Sequence, residues 1–218
     1  MSTMKALKVR TGGLSATSKM PGYSWGLPVR ACQTGQALMK IEGSVCHKCY
    51  AKKGNYAFSN VKQVYEDRLR LFESETWVDD MVELIQKRTV DVPYFRWFDS
   101  GDLQSPAMLD KIIEVVKRTE GVRHWMPTRE VKHIDRNIFL PSNLVVRVSA
   151  PMIGAKRVPG YRNTSTVAPW SMRKQWPELA LERTTRNWYC PATLQGHECG
   201  ECRACWNPMI ENVVYLEH

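Results

Sequence analysis

The residues best suited to chemistry are four cysteines near the C-terminus, spaced C-x8-C-x2-C-x2-C within sixteen residues. Four thiolates held this close repel one another unless a cation binds them, and disulfides in so short a run would be strained. A zinc ion or an iron–sulfur cluster meets this need, and the compact three-cysteine step favours iron–sulfur. The plainer interpretation is four unrelated cysteines. The spacing therefore predicts a cysteine-rich metal-binding loop, here named the C-terminal quartet: Cys190, Cys199, Cys202 and Cys205.

A second set of cysteines lies near the N-terminus and has three members. This N-terminal trio is Cys32, Cys46 and Cys49, with thirteen residues between the first two and two between the last two. Three ligands leave one metal position open, which is how catalytic centres are built. His47 stands between two of these cysteines, and we expect it to face solvent rather than bind metal.

The composition limits the class of protein. With 218 residues and 43% hydrophobic side chains, the chain can bury a sizeable core. No apolar run is long enough for a membrane span, and the first residues lack a signal-peptide pattern. We therefore expect a cytoplasmic protein, in which seven reduced cysteines serve as ligands before disulfides.

The net charge is +9, from 31 basic and 22 acidic residues. Such an excess suits nucleic acid, an anionic cofactor or a phosphorylated substrate. The basic residues are scattered, without a block of five like charges. Nucleic acid is therefore a weakly supported partner, and a generally basic surface is the alternative.

The hydrophobic pattern predicts an α/β fold. Three strand–loop–helix units follow one another, which predicts a parallel sheet with right-handed crossovers, either open or forming a partial (β/α) barrel. The third strand is nearly continuous and β-branched, as expected for a strand buried on both faces. The predicted strands are 93–98, 122–126, 143–151, 186–189 and 212–216, and the predicted helices are 60–72, 76–85, 105–116 and 131–138.

The chain order also suggests its organisation. We expect a flexible lead-in over 1–20, an α/β core over 21–188 that includes the trio, and a C-terminal segment over 189–218 that packs on the core. Residues 37–43 are a candidate first strand. A long basic loop over 153–167 is interpreted either as a substrate or phosphate-binding lid or as a surface excursion.

Polar residues follow the predicted strands, at the edge where α/β proteins place their sites. Asp99, Gly101 and Asp102 follow the first of the three strands, Arg129 follows the second and Ser149 ends the third. The two aspartates are expected either to hold an amino group, a ribose or a metal, or only to cap the turn.

Several short motifs resemble the bacteriophage "Gene product 88" family. Their order along residues 18–218 is more specific than any one of them. The matching residues are Lys19-Met20, Leu27-Pro28, Cys32, Cys46-x2-Cys49-Tyr50-Ala51, Gly54-x-Tyr56, Ser100-Gly101-Asp102, Thr128-Arg129 and the run from Cys199 to Trp206. For a phage-encoded protein, the compartment implied is the cytoplasm of the bacterial host.

That family in turn is similar to radical S-adenosylmethionine (SAM) proteins. This resemblance implies a partial barrel in which the trio holds a [4Fe-4S] cluster whose fourth iron binds SAM. It also implies that Gly101 and Asp102 hold the methionine amino group, that Arg129 and Ser149 contact cofactor or substrate, and that the quartet holds an auxiliary cluster. The usual radical SAM spacing is C-x3-C-x2-C, whereas thirteen residues separate Cys32 from Cys46. A single cluster that shares ligands from both groups is the alternative.

Three functions follow. The first is a radical SAM-like iron–sulfur enzyme with an unknown substrate. The second is a non-catalytic iron–sulfur protein that is redox-active or structural, and either of these would need an electron donor to change redox state. The third is a zinc-stabilised nucleic-acid-binding module, in which Cys46 and Cys49 pair with two cysteines of the quartet.

Overall fold

The structure, a computed structural model that describes residues 2–217, is built on one sheet of eight strands. Their order is β1-β2-β3-β4-β5-β6-β8-β7. Neighbouring strands pair in parallel, except β1 and β2, which are antiparallel. The strands are β1 Ser15–Ala16, β2 Tyr23–Trp25, β3 Tyr94–Trp97, β4 Arg123–Thr128, β5 Leu144–Ile153, β6 Thr164–Ala168, β7 Trp188–Tyr189 and β8 Asn212–Leu216.

The α/β class and the parallel sheet are confirmed, and the sheet is open rather than a closed barrel. Strands β1 and β7 lie at its two ends and do not pair with each other. Strand β5 corresponds to the predicted β-branched strand, and its first seven residues are all buried. Such a strand must be covered on both faces of the sheet, so a packing layer lies on each side.

The side-chain alternation of the strands separates two cores. On β3, Phe95 and Trp97 point into a large core formed with the helices, so the Arg96 side chain between them points to the opposite face. Arg96 lies over the Trp125 ring there, 4.7 Å from its centre. On β5, Arg147 occupies that same second face, between two residues of the helix-side core.

Six α-helices are present in residues 2–217. Ser105 caps α5 as predicted, because its side chain accepts a hydrogen bond from the Met108 amide at 3.1 Å and Pro106 occupies the first helical position. The helices are α1 Met4–Thr11, α2 Gln33–Leu38, α3 Ser59–Leu71, α4 Trp77–Arg88, α5 Pro106–Lys117 and α6 Trp176–Leu181.

The C-terminal cysteine segment covers the second face of the sheet. Trp206 packs edge-on against Trp125 and Tyr94, with ring centres 5.2 and 5.5 Å apart. Its indole N–H donates to the Phe95 carbonyl at 2.8 Å. The chain then returns as β8, which lies between β6 and β7. Within the predicted segment 189–218, the described residues up to 217 therefore complete the sheet as well as packing on it.

The range 1–20, predicted to be a flexible lead-in, contains the helix α1 and the strand β1. Leu7 is completely buried, and the Arg10 guanidinium pairs with the Asp80 carboxylate of α4 at 2.6 Å. The segment is polar with few apolar residues, so its helix depends on tertiary contacts that periodicity does not reveal.

Two further predictions are corrected. Residues 37–43 do not form a strand, since α2 extends to Leu38 and turns follow it. The first parallel strand is instead β2, whose three residues are too few for a periodic pattern. The basic loop is shorter than 153–167, because β6 begins at Thr164 and pairs with both β5 and β8. Within residues 2–217, no helix combines the length and apolar character needed to cross a membrane.

Candidate metal centre and adjoining cavity

The parallel sheet brings the predicted site residues to one edge. The trio follows β2, Asp102 follows β3, Arg129 follows β4 and Cys190 follows β7. These strands run in the same direction, so their C-terminal ends meet at the same side of the sheet. Residues that are more than 150 positions apart in sequence therefore become neighbours.

The three thiols of the trio are close enough to interact electrostatically. Gly35 in α2 lies between two of them. A Cβ at this position would lie 2.8 Å from the Cβ of Cys32, 3.6 Å from its sulfur and 3.8 Å from the sulfur of Cys46. Only glycine permits this approach, so α2 and the two cysteines form one closely packed unit.

Buried contacts with the sheet edge hold the loop of the trio. The Glu130 carboxylate, at the end of β4, is fully buried and accepts hydrogen bonds from the Thr34 amide at 2.6 Å and the Thr34 hydroxyl at 2.7 Å. The Val45 amide donates to the Pro151 carbonyl of β5 at 2.9 Å. The position of the trio thus depends on β4 and β5 rather than on its own sequence.

The four thiols of the quartet also interact electrostatically. The Cys190 amide donates to the Val214 carbonyl of β8 at 2.8 Å, and the Cys199 amide donates to the Lys19 carbonyl at 2.9 Å. The two halves of the quartet are thereby fixed to the sheet and to the N-terminal segment.

Arg147 organises the quartet's loop from beneath. Its guanidinium is fully buried and donates only to backbone carbonyls, including that of Cys205 at 3.0 Å. The other acceptors are the carbonyls of Thr164, Ala204, Asn207 and Ile210, at 2.8–3.3 Å. Among residues 2–217, no carboxylate pairs with this guanidinium.

The sulfur of Cys205 lies within hydrogen-bond distance of a tyrosine hydroxyl. The Tyr215 hydroxyl lies 3.2 Å from it. Burial raises the pKa of the Cys205 thiol to about 11, against the opposing effects of the Arg147 charge and the Tyr215 hydrogen bond. Both neighbours stabilise the thiolate relative to the thiol.

All seven cysteines are free thiols. Burial raises the pKa of Cys32, Cys46, Cys190 and Cys199. These thiols are therefore protonated at neutral pH, and metal binding would release their protons. No set of three or more His, Cys, Asp and Glu side chains in residues 2–217 is arranged to hold a metal ion as it stands.

A cavity of about 430 Å³ lies at this edge, between the loops of the two cysteine groups. Arg129 faces it, and within residues 2–217 its guanidinium has no hydrogen bond or ion pair; its Nε is buried. Both loops contribute to the walls, which combine apolar and basic side chains. The lining includes Lys19, Met20, Val45, Lys48, Tyr50, Arg96, Gly101, Asp102, Trp125, Ser149, Cys190, Cys199 and Cys205.

Asp102 is buried beside the trio. Its Oδ1 accepts from the Leu103 amide at 2.8 Å and its Oδ2 from the Arg129 amide at 2.9 Å. Burial raises the pKa of this carboxyl to about 6, although hydrogen bonds from Thr128 and the two amides lower it. The carboxylate therefore joins the loops after β3 and β4, and it also lines the cavity.

Gly101 and Ser149 have structural partners as well. Gly101 has a φ of 75°, and a Cβ there would lie 2.7 Å from the Leu27 carbonyl oxygen, so the position requires glycine. The Ser149 hydroxyl lies 2.9 Å from the Ser165 hydroxyl. Both residues border the cavity, whereas Asp99 is buried and accepts a hydrogen bond from Tyr65.

Sequence reasoning missed Gly35, Arg96, Arg147 and Tyr215. A signal existed for the two arginines, because each interrupts a run of large apolar residues within a strand. Burying a charged side chain is costly unless a polar or anionic group compensates it. An arginine at such a position therefore indicates a polar or anionic partner. Gly35 and Tyr215 carry no comparable pattern.

Comparison with known families agrees with the order of motifs described above. The family model described as Gene product 88 matches residues 3–208. The chain belongs to the Gene product 88 family. That match spans both cysteine groups of this Gene product 88 protein and the cavity lining up to Cys205, whereas Tyr215 lies beyond it. No curated protein and no solved structure matches the chain.

Proposed function

We propose that this protein binds iron–sulfur clusters through its two cysteine groups and is a radical SAM-type enzyme with its active site in the cavity between them. One observation carries the proposal: two cysteine groups from opposite ends of the chain have loops that line the same cavity. Thiolates are the usual ligands of iron–sulfur clusters. In α/β folds, the C-terminal edge of the parallel strands is the usual place for a ligand.

The charges around the thiols support this donor set. The Arg147 guanidinium is buried beside Cys205, and Arg129 lies beside Cys46 without an ion pair. A buried cation is costly without a counter-charge. Metal-bound thiolates are anionic and would supply one. The thiols would have to move closer together as a cluster binds, since within residues 2–217 no three such side chains are arranged to hold a metal ion.

The residues around the cavity suit the roles expected from the resemblance. The trio supplies three ligands and leaves one position open. Asp102 would accept hydrogen bonds from the amino group of SAM through the second lone pairs of its oxygens, with Gly101 shaping the turn. The unpaired Arg129 guanidinium suits a carboxylate, and Ser149 borders the same cavity. When bound, a reduced [4Fe-4S] cluster supplies the electron for SAM cleavage.

The first test is the iron, zinc and acid-labile sulfide content of protein purified without oxygen. We expect a brown protein with about eight irons and matching sulfide, or about four if the groups share one cluster. Cys46→Ala/Cys49→Ala and Cys199→Ala/Cys202→Ala variants should each lose about half of the iron if there are two clusters. Zinc without sulfide would contradict the proposal.

The second test is SAM binding, measured by equilibrium dialysis on the iron-loaded protein. We expect Cys49→Ala and Asp102→Asn to weaken binding. Asp110→Asn is the matched control, because Asp110 is exposed on α5. SAM affinity that is unchanged in Cys49→Ala would exclude the radical SAM function and leave the clusters themselves untouched.

A non-catalytic iron–sulfur protein is the second candidate. The engagement of both Asp102 oxygens by backbone amides favours it, since a structural role accounts for that residue without SAM. This candidate predicts full iron and sulfide content but no SAM cleavage after reduction with dithionite.

The zinc-stabilised nucleic-acid-binding module is the third candidate, and it depends on the charge of +9. It predicts a colourless zinc protein whose affinity for DNA or RNA falls steeply with salt. The same metal analysis therefore separates it from the first two candidates.

A further inference from the structure

The two cysteine groups differ in their electrostatic surroundings. Near the trio, the Asp102 and Glu130 carboxylates both act on Cys32 and Cys46, and Arg129 opposes them at Cys46, where its effect is the larger one. Near the quartet, by contrast, Arg96 and Arg203 act on Cys199, and Arg147 acts on Cys205. No carboxylate among residues 2–217 is a principal influence on any quartet thiol whose pKa is shifted.

Hydrogen bonding adds to this asymmetry. The Tyr215 hydroxyl lies 3.2 Å from the Cys205 sulfur, and Tyr215 is half-buried on β8. A tyrosine hydroxyl donates a hydrogen bond to a thiolate, which disperses the negative charge of the sulfur.

The position of the Arg147 charge is fixed by five hydrogen bonds to backbone carbonyls, three of them within residues 204–207. Since every donor is engaged with main chain, the guanidinium cannot turn away when the charge of its surroundings changes. It acts on the quartet through the loop that it holds, as a positioning residue.

Positive charge and hydrogen bonds at cluster sulfurs raise a reduction potential, because the reduced cluster carries one more negative charge. We propose that Arg147 and Tyr215 hold the C-terminal quartet at a higher reduction potential than the N-terminal trio, so that the quartet is reduced first. This inference rests on the proposed binding of iron–sulfur clusters at both groups. An external one-electron donor, such as dithionite in the test below, would then reduce the quartet's cluster before that of the trio.

The test compares the midpoint potentials of single-group proteins, each loaded with iron and sulfide. Cys46→Ala/Cys49→Ala keeps only the quartet, and Cys199→Ala/Cys202→Ala keeps only the trio. Both are titrated with dithionite and mediators at pH 8, and the reduced clusters are followed by electron paramagnetic resonance. We expect the quartet to be reduced at the more positive potential.

Tyr215→Phe is then added to the quartet-only protein. We expect a negative shift of its potential at unchanged iron content, because the ring stays and the hydroxyl is lost. Tyr94→Phe is the matched control: its ring packs on Trp206 in the same core, with no hydrogen bond to a sulfur. Arg147→Gln should shift the potential further in the same direction, and Arg147→Lys should restore part of the shift.

The outcomes distinguish failure of the proposed cluster binding from failure of the proposed difference in reduction potential. Wild-type protein without iron and sulfide would contradict the proposed function. A trio potential at or above that of the quartet, or an unshifted potential in Tyr215→Phe with iron retained, would overturn the inference while leaving the clusters in place. If Arg147→Gln does not fold, Tyr215→Phe still decides the question.

Discussion

At the scale of single residues, Gly35 shows how closely the trio is packed. An alanine in a helix usually stabilises it by about 1 kcal/mol relative to glycine. Here the added methyl group would lie 2.8 Å from the Cβ of Cys32. Steric requirements therefore outweigh helix propensity at this position.

We predict that Gly35→Ala lowers the free energy of unfolding by about 1–3 kcal/mol, as overpacking does. Urea unfolding of the metal-free protein measures this effect independently of any cluster. Gly121→Ala is the matched control, because a Cβ there meets no atom within 4 Å. Equal stability of the two variants would show that α2 can move away from Cys32 at little cost.

His124 is a second residue whose surroundings decide its behaviour. It is fully buried on β4, where burial lowers the pKa of its imidazole to about 3. Below pH 6.5 the unfolded chain binds a proton that the folded protein does not. The contribution of His124 to the free energy of unfolding is therefore fully present above pH 6.5 and is lost as the pH falls towards 3.

We expect the free energy of unfolding of wild-type protein to fall, through this residue, by about 1.4 kcal/mol per pH unit below 6.5. His124→Gln should remove this pH-dependent contribution. The difference in the free energy of unfolding between wild type and His124→Gln should therefore become smaller between pH 6.5 and 5. Urea unfolding at several pH values measures the slope, and His47→Gln, at an exposed position, is the control. Parallel slopes in wild type and His124→Gln would contradict the assignment.

At the scale of elements, the C-terminal cysteine segment is held to the sheet by Trp206. Its ring contacts Trp125 and Tyr94, and its N–H bonds to the Phe95 carbonyl. Apolar packing and one buried hydrogen bond thus join the loop to β3 and β4. Loss of this contact should loosen the whole quartet.

Trp206→Ala is expected to cost about 3–5 kcal/mol of stability, the usual range for a buried tryptophan. Trp170→Ala, at a half-exposed position, should cost less than about 1 kcal/mol. Urea unfolding followed by far-ultraviolet circular dichroism provides the comparison. Similar losses in the two variants would mean that the segment contributes little to the fold.

At the scale of the whole molecule, the position of β8 decides whether the chain can be divided. This strand lies between β6 and β7, and it pairs with β6 over five residues. The core therefore includes β8, which lies near the C-terminus. The predicted core range 21–188 does not contain this strand.

We predict that a variant ending at residue 188 does not unfold cooperatively, because β6 loses β8, one of its two parallel partners, and the apolar second face is uncovered. Thermal unfolding followed by circular dichroism tests this. A variant lacking only residues 1–3 is the control, since it keeps every strand. A sharp transition in the variant ending at 188 would restore the division into a core and an appended segment.

Local patterns in the sequence were sufficient for much of the fold. The buried run of β5, the Ser105–Pro106 start of α5 and the short steps between Cys199, Cys202 and Cys205 each depend on residues within a few positions. Hydrophobic period, capping and ligand spacing are local properties, so the sequence alone predicts a parallel α/β sheet and two cysteine groups.

The tertiary structure decided what surrounds those groups. Arg147 reaches the Cys205 carbonyl across 58 positions, and Glu130 reaches Thr34 across 96. The helix α1 and the short strand β2 likewise exist through contacts with distant elements rather than through their own periodicity. The sequence thus determined which cysteines are candidate metal ligands, and the sheet order determined which charges face them, because parallel strands bring distant loops to one edge.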